Sequence, residues 1–286
     1  MSRASVWWPG DPGARARAGL KRIGAAACGV VALAVGWWVC SLLVPAGFVP
    51  GPLPVLVRFL ELLPTELAGH AAASLGRVAA ALALSLVTAV PAGTAIGRSR
   101  AADRALAPVI YLLYPVPKIA LLPVLMLLFG LGDPAKVLVV YLVLFFQLLV
   151  AARDAAREVP EPFLLSLRSL GGTRVQAARY VLLPSLVPAL LSSLRVGIGT
   201  ALAVLFFSET FGTRVGLGWF VMESWMRISY VDMFAGILCL GLLGLGLFLA
   251  VDAVYRRACR WQGSGADERT GGWTGTRTDG PGSRLD

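Results

Sequence analysis

Few residues able to do chemistry interrupt the apolar runs of this sequence. They are Arg77, Lys118, Arg195 and Glu209, with the hydroxyls Ser208 and Thr210 beside the glutamate. An ionisable group set in hydrocarbon is costly, and it is retained for a pathway, a gate or a partner helix. Lys118 follows Pro117 near the cytoplasmic end of an apolar run. Glu209 closes another run on its outer side. Arg77 and Arg195 fall within about two turns of expected helix ends, where long side chains reach the interface or pair with a neighbour. Lys118, Pro123, Arg195, Ser208 and Glu209 are the candidate pathway or gate residues.

Signatures of catalysis are missing. No G-x-x-x-x-G-K-[ST] loop is present, so the chain is not expected to hold ATP phosphates. The single histidine, His70, belongs to no H-E-x-x-H motif. No G-x-S-x-G elbow and no carboxylate pair falls within an apolar run. Cys28, Cys40, Cys239 and Cys259 lack C-x-x-C spacing and read as small buried hydrophobes. The expectation is a protein without catalytic residues, metal or cofactor.

The elements that carry these residues are membrane spans. Of 286 residues, 57% are hydrophobic and 15% charged, and the mean hydropathy is +0.74. Soluble domains carry about 25% charged residues. The net charge of +10 lies in short arginine blocks between apolar runs. That pattern is membrane topology, and nucleic acid is not an expected partner. Runs at 23–44, 72–97, 106–131, 136–152, 188–211 and 234–255 match roughly 30 Å of hydrocarbon at 1.5 Å per residue, the fourth being short. The first is too long for a signal-peptide core, so an uncleaved span is expected. The basic blocks 98–104, 153–179 and 256–260 alternate with lightly charged connections. The fold class is therefore an all-α membrane protein with six transmembrane helices and both termini cytoplasmic.

Within that frame, residues 1–22 and 261–286 are expected to be flexible tails, the latter disordered. In 45–69, Val55, Leu56, Phe59, Leu60 and Leu63 share a helical face, predicting a short amphipathic helix on the outer surface. Pro115, Pro117 and Pro123 disfavour a straight third span. The outer segment 212–233 reads as interfacial or re-entrant. Gly236, Gly241, Gly244 and Gly246 allow close helix contact in the last span.

Residues 153–184 form the longest polar interruption, with Arg153, Arg157, Arg168, Arg174 and Arg179. Pro160 and Pro162 favour a helix start at 162. Gly171 and Gly172 supply a left-handed cap. Thr173 and Gln176 have capping-box spacing. A second helix is expected to end at Pro184. The outcome is two short helices about a glycine elbow, suited to docking.

This stretch resembles the cytoplasmic loop signature of permease subunits of ATP-binding-cassette importers, EAA-x3-G-x9-I-x-LP. Gly171, nine residues, Val181, Leu182, Leu183 and Pro184 match its spacing. Leu165, Ser166 and Leu167 occupy the Glu-Ala-Ala positions, so that triad is absent, and Arg168 follows it. Residues 115–136, and Ser74, Leu75 and Arg77, are similar to the nitrate, sulfonate and taurine branch. The resemblance covers about 23–260. It implies a type I importer permease in the bacterial inner membrane, paired as a homodimer. Each loop would dock on a separate ATPase subunit that binds ATP, and a periplasmic or lipid-anchored binding protein would deliver solute. The implied substrate is a small anion of the sulfonate, taurine or nitrate kind, although the wider family also takes bicarbonate and pyrimidine-type vitamin precursors. An ion-coupled secondary carrier is the alternative, but it calls for inverted repeats and midplane carboxylates, and the expected spans lack central Asp or Glu.

Overall fold

The computed structural model describes residues 12–44 and 47–259, and every regular element among them is helical. In chain order these are α1 (Pro12–Leu43), α2 (Pro52–Leu62), α3 (Ala68–Arg98), α4 (Arg100–Leu113), α5 (Leu122–Phe129), α6 (Asp133–Glu158), α7 (Glu161–Ser169), α8 (Arg174–Ala177), α9 (Leu183–Glu209), α10 (Leu217–Met226) and α11 (Tyr230–Ala258). Among the described residues four helices are long and apolar enough to cross a membrane: Pro52–Arg98, Asp133–Glu158, Val175–Glu209 and Tyr230–Ala258. A fifth candidate is the pair Arg100–Leu113 and Lys118–Phe129, bent by 82°. The apolar part of α1, Cys28–Leu43, is shorter.

The chain divides into two units. The larger comprises Gly76–Ser208 and the described residues from Leu243 onward. Its centre is α3, α6 and α9. One cluster joins Ala89 and Val90 of α3, Leu148 and Ala152 of α6, and Leu186 and Leu190 of α9. A second joins Val78, Leu122, Val139, Leu144, Ala201 and Leu205. Small residues set the α3–α6 spacing. A Cβ on Gly93 would stand 2.4 Å from the Leu149 carbonyl oxygen, and one on Gly97 would stand 2.3 Å from that of Arg153. Without a hydrophobic force between helices in lipid, such close backbone contact is a main source of association. Of the four glycines expected to pack in α11, Gly244 does so, against Leu202 in this unit. Gly241 and Gly246 face open space.

The smaller unit comprises the described residues up to Leu75 with Glu209–Leu242. Trp37 Nε1 donates to the Pro50 carbonyl at 3.1 Å, and the Trp37 ring stacks on Phe234 with centroids 5.9 Å apart. Arg58 Nε meets Asp232 at 2.6 Å. Helix α10 buries Leu217, Phe220 and Val221, and Gly236 gives Phe220 and Val221 room to approach.

Several boundaries depart from expectation. The amphipathic helix does not stand alone. Pro64 has no N–H for the Leu60 carbonyl, and the chain absorbs this in a π turn, Leu63–Leu67, that carries α2 into α3. Its buried residues are Val55, Phe59 and Leu62, whereas Leu56 and Leu60 are exposed. Pro184 likewise does not end the second loop helix. A π turn at Ala178–Leu182 takes up the missing bond, and the helix continues into α9. Arg153 and Arg157 belong to the last turns of α6, which outruns the expected fourth span. Helix α1 starts at Pro12, so part of the expected 1–22 tail is helical. Residues 1–11, Pro45 and the 261–286 tail lie outside the described residues.

Candidate coupling elbow and buried charge sites

The elbow at Gly171 and Gly172 follows from the last turn of α7. Gly171 takes φ +81°, which costs a side-chain-bearing residue roughly 1–2 kcal/mol. Its N–H donates to the Arg168 carbonyl at 2.9 Å, and the Gly172 N–H donates to that of Leu167 at 2.9 Å. These are the two bonds of a Schellman cap. Gly172 has no room for a side chain, since a Cβ would lie 2.7 Å from both Cγ and the carbonyl oxygen of Leu167. Beyond the elbow, Thr173 N–H donates to Gln176 Oε1 at 2.7 Å, and Gln176 N–H donates to Thr173 Oγ1 at 3.3 Å. The expected capping box is thus formed in both directions.

This geometry displays apolar side chains. Leu170 is 85% and Val175 75% exposed, and Phe163, Leu165 and Tyr180 are exposed as well. An open groove of about 450 Å³ runs between α7 and the start of the long helix, past Phe163, Ser166, Leu167, Leu170, Tyr180, Val181 and Pro184. Ser166 Oγ turns back to the Pro162 carbonyl at 2.8 Å. Arg168 and Leu183 are exposed. The eleven residues expected to form the docking loop therefore lie along one continuous elbow, with no Glu-Ala-Ala triad in it.

The candidate pathway residues do not gather in one place. Lys118 lies in the bend of the broken pair, in the 3₁₀ turn Lys118–Leu121. Pro115 and Pro117 remove two N–H donors there, and Lys118 Nζ donates instead to the carbonyls of Leu113, at 2.9 Å, and Tyr114. Pro123 is exposed in the first turn of α5. Arg195 lies well inside α9, so it does not reach an interface at a helix end. It pairs with Asp252 of α11, which also holds Arg256 four residues on. The Arg195 guanidinium lies 5.4 Å from the Phe248 ring and 5.6 Å from that of Tyr255, and its Nε has no hydrogen-bond acceptor among the described residues.

Ser208 is buried and returns its hydroxyl to the Leu205 carbonyl at 2.8 Å. Glu209 is 0% exposed. Its carboxyl oxygens accept from Ser74 Oγ and, at 2.9 Å, from the Gly218 N–H. Ser74 Oγ accepts from the Leu217 N–H at 2.9 Å, and His70 Nδ1 accepts from the Gly216 N–H at 3.1 Å. Three consecutive amides at the start of α10 are thus satisfied by side chains, where helix N–H groups lack partners. An acceptor carboxyl group at that end also suits the helix dipole. Glu209 and Ser74 together clasp the start of α10.

Sequence reasoning did not single out Asp252, Asp133 or Asp103. Each is the partner of a named arginine: Arg77 with Asp133 at 2.7 Å, and Arg153 with Asp103 at 2.6 Å. Asp252 carried one usable signal, a carboxylate four residues before Arg256 on an apolar helix. Lys136, the first residue of the expected 136–152 run, is 0% exposed, its Nζ donating to the Leu131 carbonyl at 2.6 Å.

Residues 78–260 match the model of the family described as "Binding-protein-dependent transport system inner membrane component". The taurine transport system permease protein TauC of Escherichia coli (strain K12) is 32% identical over 240 residues, covering 82% of this chain and 87% of that protein. The putative aliphatic sulfonates transport permease protein SsuC of Bacillus subtilis (strain 168) is 28% identical over 222 residues, covering 77% and 80%. Among solved structures, the inward-facing MetNI methionine ABC transporter aligns with a TM-score of 0.58 at 20% identity, covering 72% of this chain and 97% of that one. At that identity the likeness supports the fold alone.

Proposed function

The chain belongs to the family of binding-protein-dependent transport system inner membrane components, and from that premise we propose that it is the pathway-forming permease subunit of an ATP-driven importer of small sulfonate-type anions. It is a multi-pass membrane protein whose relatives are transport permeases, not enzymes. The substrate class rests on the taurine and aliphatic sulfonate relatives. In this reading α1 completes a six-span subunit in a bacterial inner membrane, and two copies pair around the pathway. A separate ATPase binds the ATP, and a periplasmic or lipid-anchored binding protein delivers solute.

One observation carries the coupling role: the Schellman-capped elbow that presents Phe163, Leu170, Val175 and Tyr180 outward around an open groove. An exposed apolar patch of this kind marks a protein or membrane contact. The rigid cap and the box after it favour docking into a cleft. The Glu-Ala-Ala acid is missing, so contact there depends on shape and apolar burial. The long helix that leaves the elbow, Val175–Glu209, gives a path for force into the membrane.

The test is co-purification of this chain with the ATP-binding-cassette ATPase expressed with it, followed by taurine uptake in proteoliposomes with the binding protein present. Association together with ATP-dependent uptake supports the reading. An ATPase that does not co-purify, or uptake indifferent to ATP and abolished by an uncoupler, overturns it in favour of an ion-coupled carrier.

A further inference from the structure

The bend of the broken pair opens onto a cavity of about 440 Å³. Its walls come from Val116 and Ile119 of the bend, Val143, Phe146 and Gln147 of α6, and Val196, Thr200 and Val204 of α9. Gln147 stands near the midpoint of Asp133–Glu158, so the cavity lies at membrane depth. Lys118 projects into it, with Nζ 4.8 Å from the Phe146 ring centroid.

Charge accounting sets Lys118 apart. Arg77, Arg153 and Arg195 each have a carboxylate within ion-pair distance. Among the described residues Lys118 has none, and no acidic residue lines the cavity. Its partners are two carbonyls and two aromatic faces, Phe146 and, at 5.6 Å, Tyr114. Two carbonyls occupy two of the three ammonium donors. They stabilise the cation without cancelling its charge, and one donor remains. A full positive charge at this depth without a counter-ion calls for an anion.

Other groups complete a polar end. Thr200 is exposed to the cavity, and its hydroxyl has no hydrogen-bond partner among the described residues. Gln147 spends one amide hydrogen on the Ser193 carbonyl at 3.1 Å, and its second hydrogen is left over. The remaining walls are valine, isoleucine, phenylalanine and Pro117, with Tyr114 at the bend. A few convergent polar groups on an apolar wall describe a small-ligand site.

We propose that this cavity is an oxyanion-binding station on the transport path. The Lys118 ammonium, the Thr200 hydroxyl and the Gln147 amide hold the charged head of a small organic sulfonate, and the apolar walls take its carbon chain. The station deepens the permease reading and rests on it for the word transport, but its charge preference can be measured without transport.

Two experiments decide it. In the first, Cys28, Cys40, Cys239 and Cys259 are replaced by serine and Thr200→Cys is introduced into the full chain. The rates of modification by the anionic sulfonatoethyl and cationic trimethylammonioethyl methanethiosulfonates are compared. The anion-to-cation rate ratio is expected to fall roughly tenfold when Lys118→Met is added, the size of a nearby unit charge in a partly dry site. An unchanged ratio overturns the station. In the second, Thr200→Val, which leaves the bend intact, is assembled with the ATPase and binding protein in proteoliposomes. Taurine moved per ATP hydrolysed is expected to drop severalfold, with binding-protein-stimulated hydrolysis retained. An unchanged ratio of transport to hydrolysis counts against the station even if Lys118→Met fails to fold. If the unmutated complex moves no sulfonate, the substrate assignment fails, and the thiol-modification result still decides whether the cavity selects anions.

Discussion

The Ser74 hydroxyl lies 2.8 and 2.9 Å from the two carboxyl oxygens of Glu209, and the same oxygen atom receives the Leu217 N–H at 2.9 Å. One serine thus joins α3, the end of α9 and the start of α10. Both partners are completely buried.

Removal of this acceptor has a predictable cost. Glu209→Ala leaves the Gly218 N–H and the Ser74 hydroxyl without it in a buried place, at about 1–3 kcal/mol per group. Glu209→Gln keeps one carbonyl oxygen and is expected to lose less. Thermal unfolding of the detergent-solubilised protein ranks the two. An alanine variant as stable as the parent would show that α10 is held by other contacts.

At the elbow the two glycines fail for different reasons. Gly171→Ala meets no atom within 4 Å but must hold φ +81°, a penalty of roughly 1–2 kcal/mol. Gly172→Ala drives a methyl group into the Leu167 carbonyl. The second change is expected to lower ATPase co-purification more than the first, with membrane insertion unaffected for both. Equal retention of the ATPase by both variants would separate the elbow from docking.

The Arg195–Asp252 pair is asymmetric. Without Arg195, Asp252 still has Arg256. Without Asp252, Arg195 keeps only ring faces for its charge. Asp252→Asn is therefore expected to destabilise more than Arg195→Met, by about 1–2 kcal/mol, within the range found for polar contacts in membranes. Urea or thermal unfolding of both single variants and the double variant gives the coupling directly. The reverse order would mean that Arg195 is solvated by water or lipid phosphate.

Close contact of α3 with α6 makes Gly97 intolerant. Gly97→Ala is expected to cost about 1–3 kcal/mol through overpacking. Gly76→Ala, with nothing within 4 Å, is neutral or slightly favourable because alanine is the better helix former. A pair of melting curves checks this, and a Gly97→Ala variant as stable as Gly76→Ala would show that α3 and α6 separate at no cost.

What the sequence revealed follows from the range of the forces involved. The Gly171–Gly172 cap and the Thr173–Gln176 box are local, closed within about one helical turn, so residue type and spacing were enough. The broken third span was legible for the same reason, since Pro115 and Pro117 act on their own backbone. Pairs such as Arg195 with Asp252 and Ser74 with Glu209 bridge 57 and 135 residues. No local pattern encodes a partner that far away. Hence the bonds from Ser74 and the Gly218 N–H to Glu209, a candidate gate residue by its place in the sequence, were not legible. Pro64 and Pro184 mislead in another way. A missing donor can end a helix or be absorbed in a wider turn, and packing of the flanking helices decides which.

That second outcome matters beyond helix boundaries. Because Pro184 does not interrupt it, Val175–Glu209 is a single rod of 35 residues, about 52 Å long. A lever of that length, tilted by about 5°, carries its far end through roughly 4–5 Å. A small tilt of this helix is therefore a stroke of atomic dimensions at its far end, without any relay of side-chain rearrangements along the way.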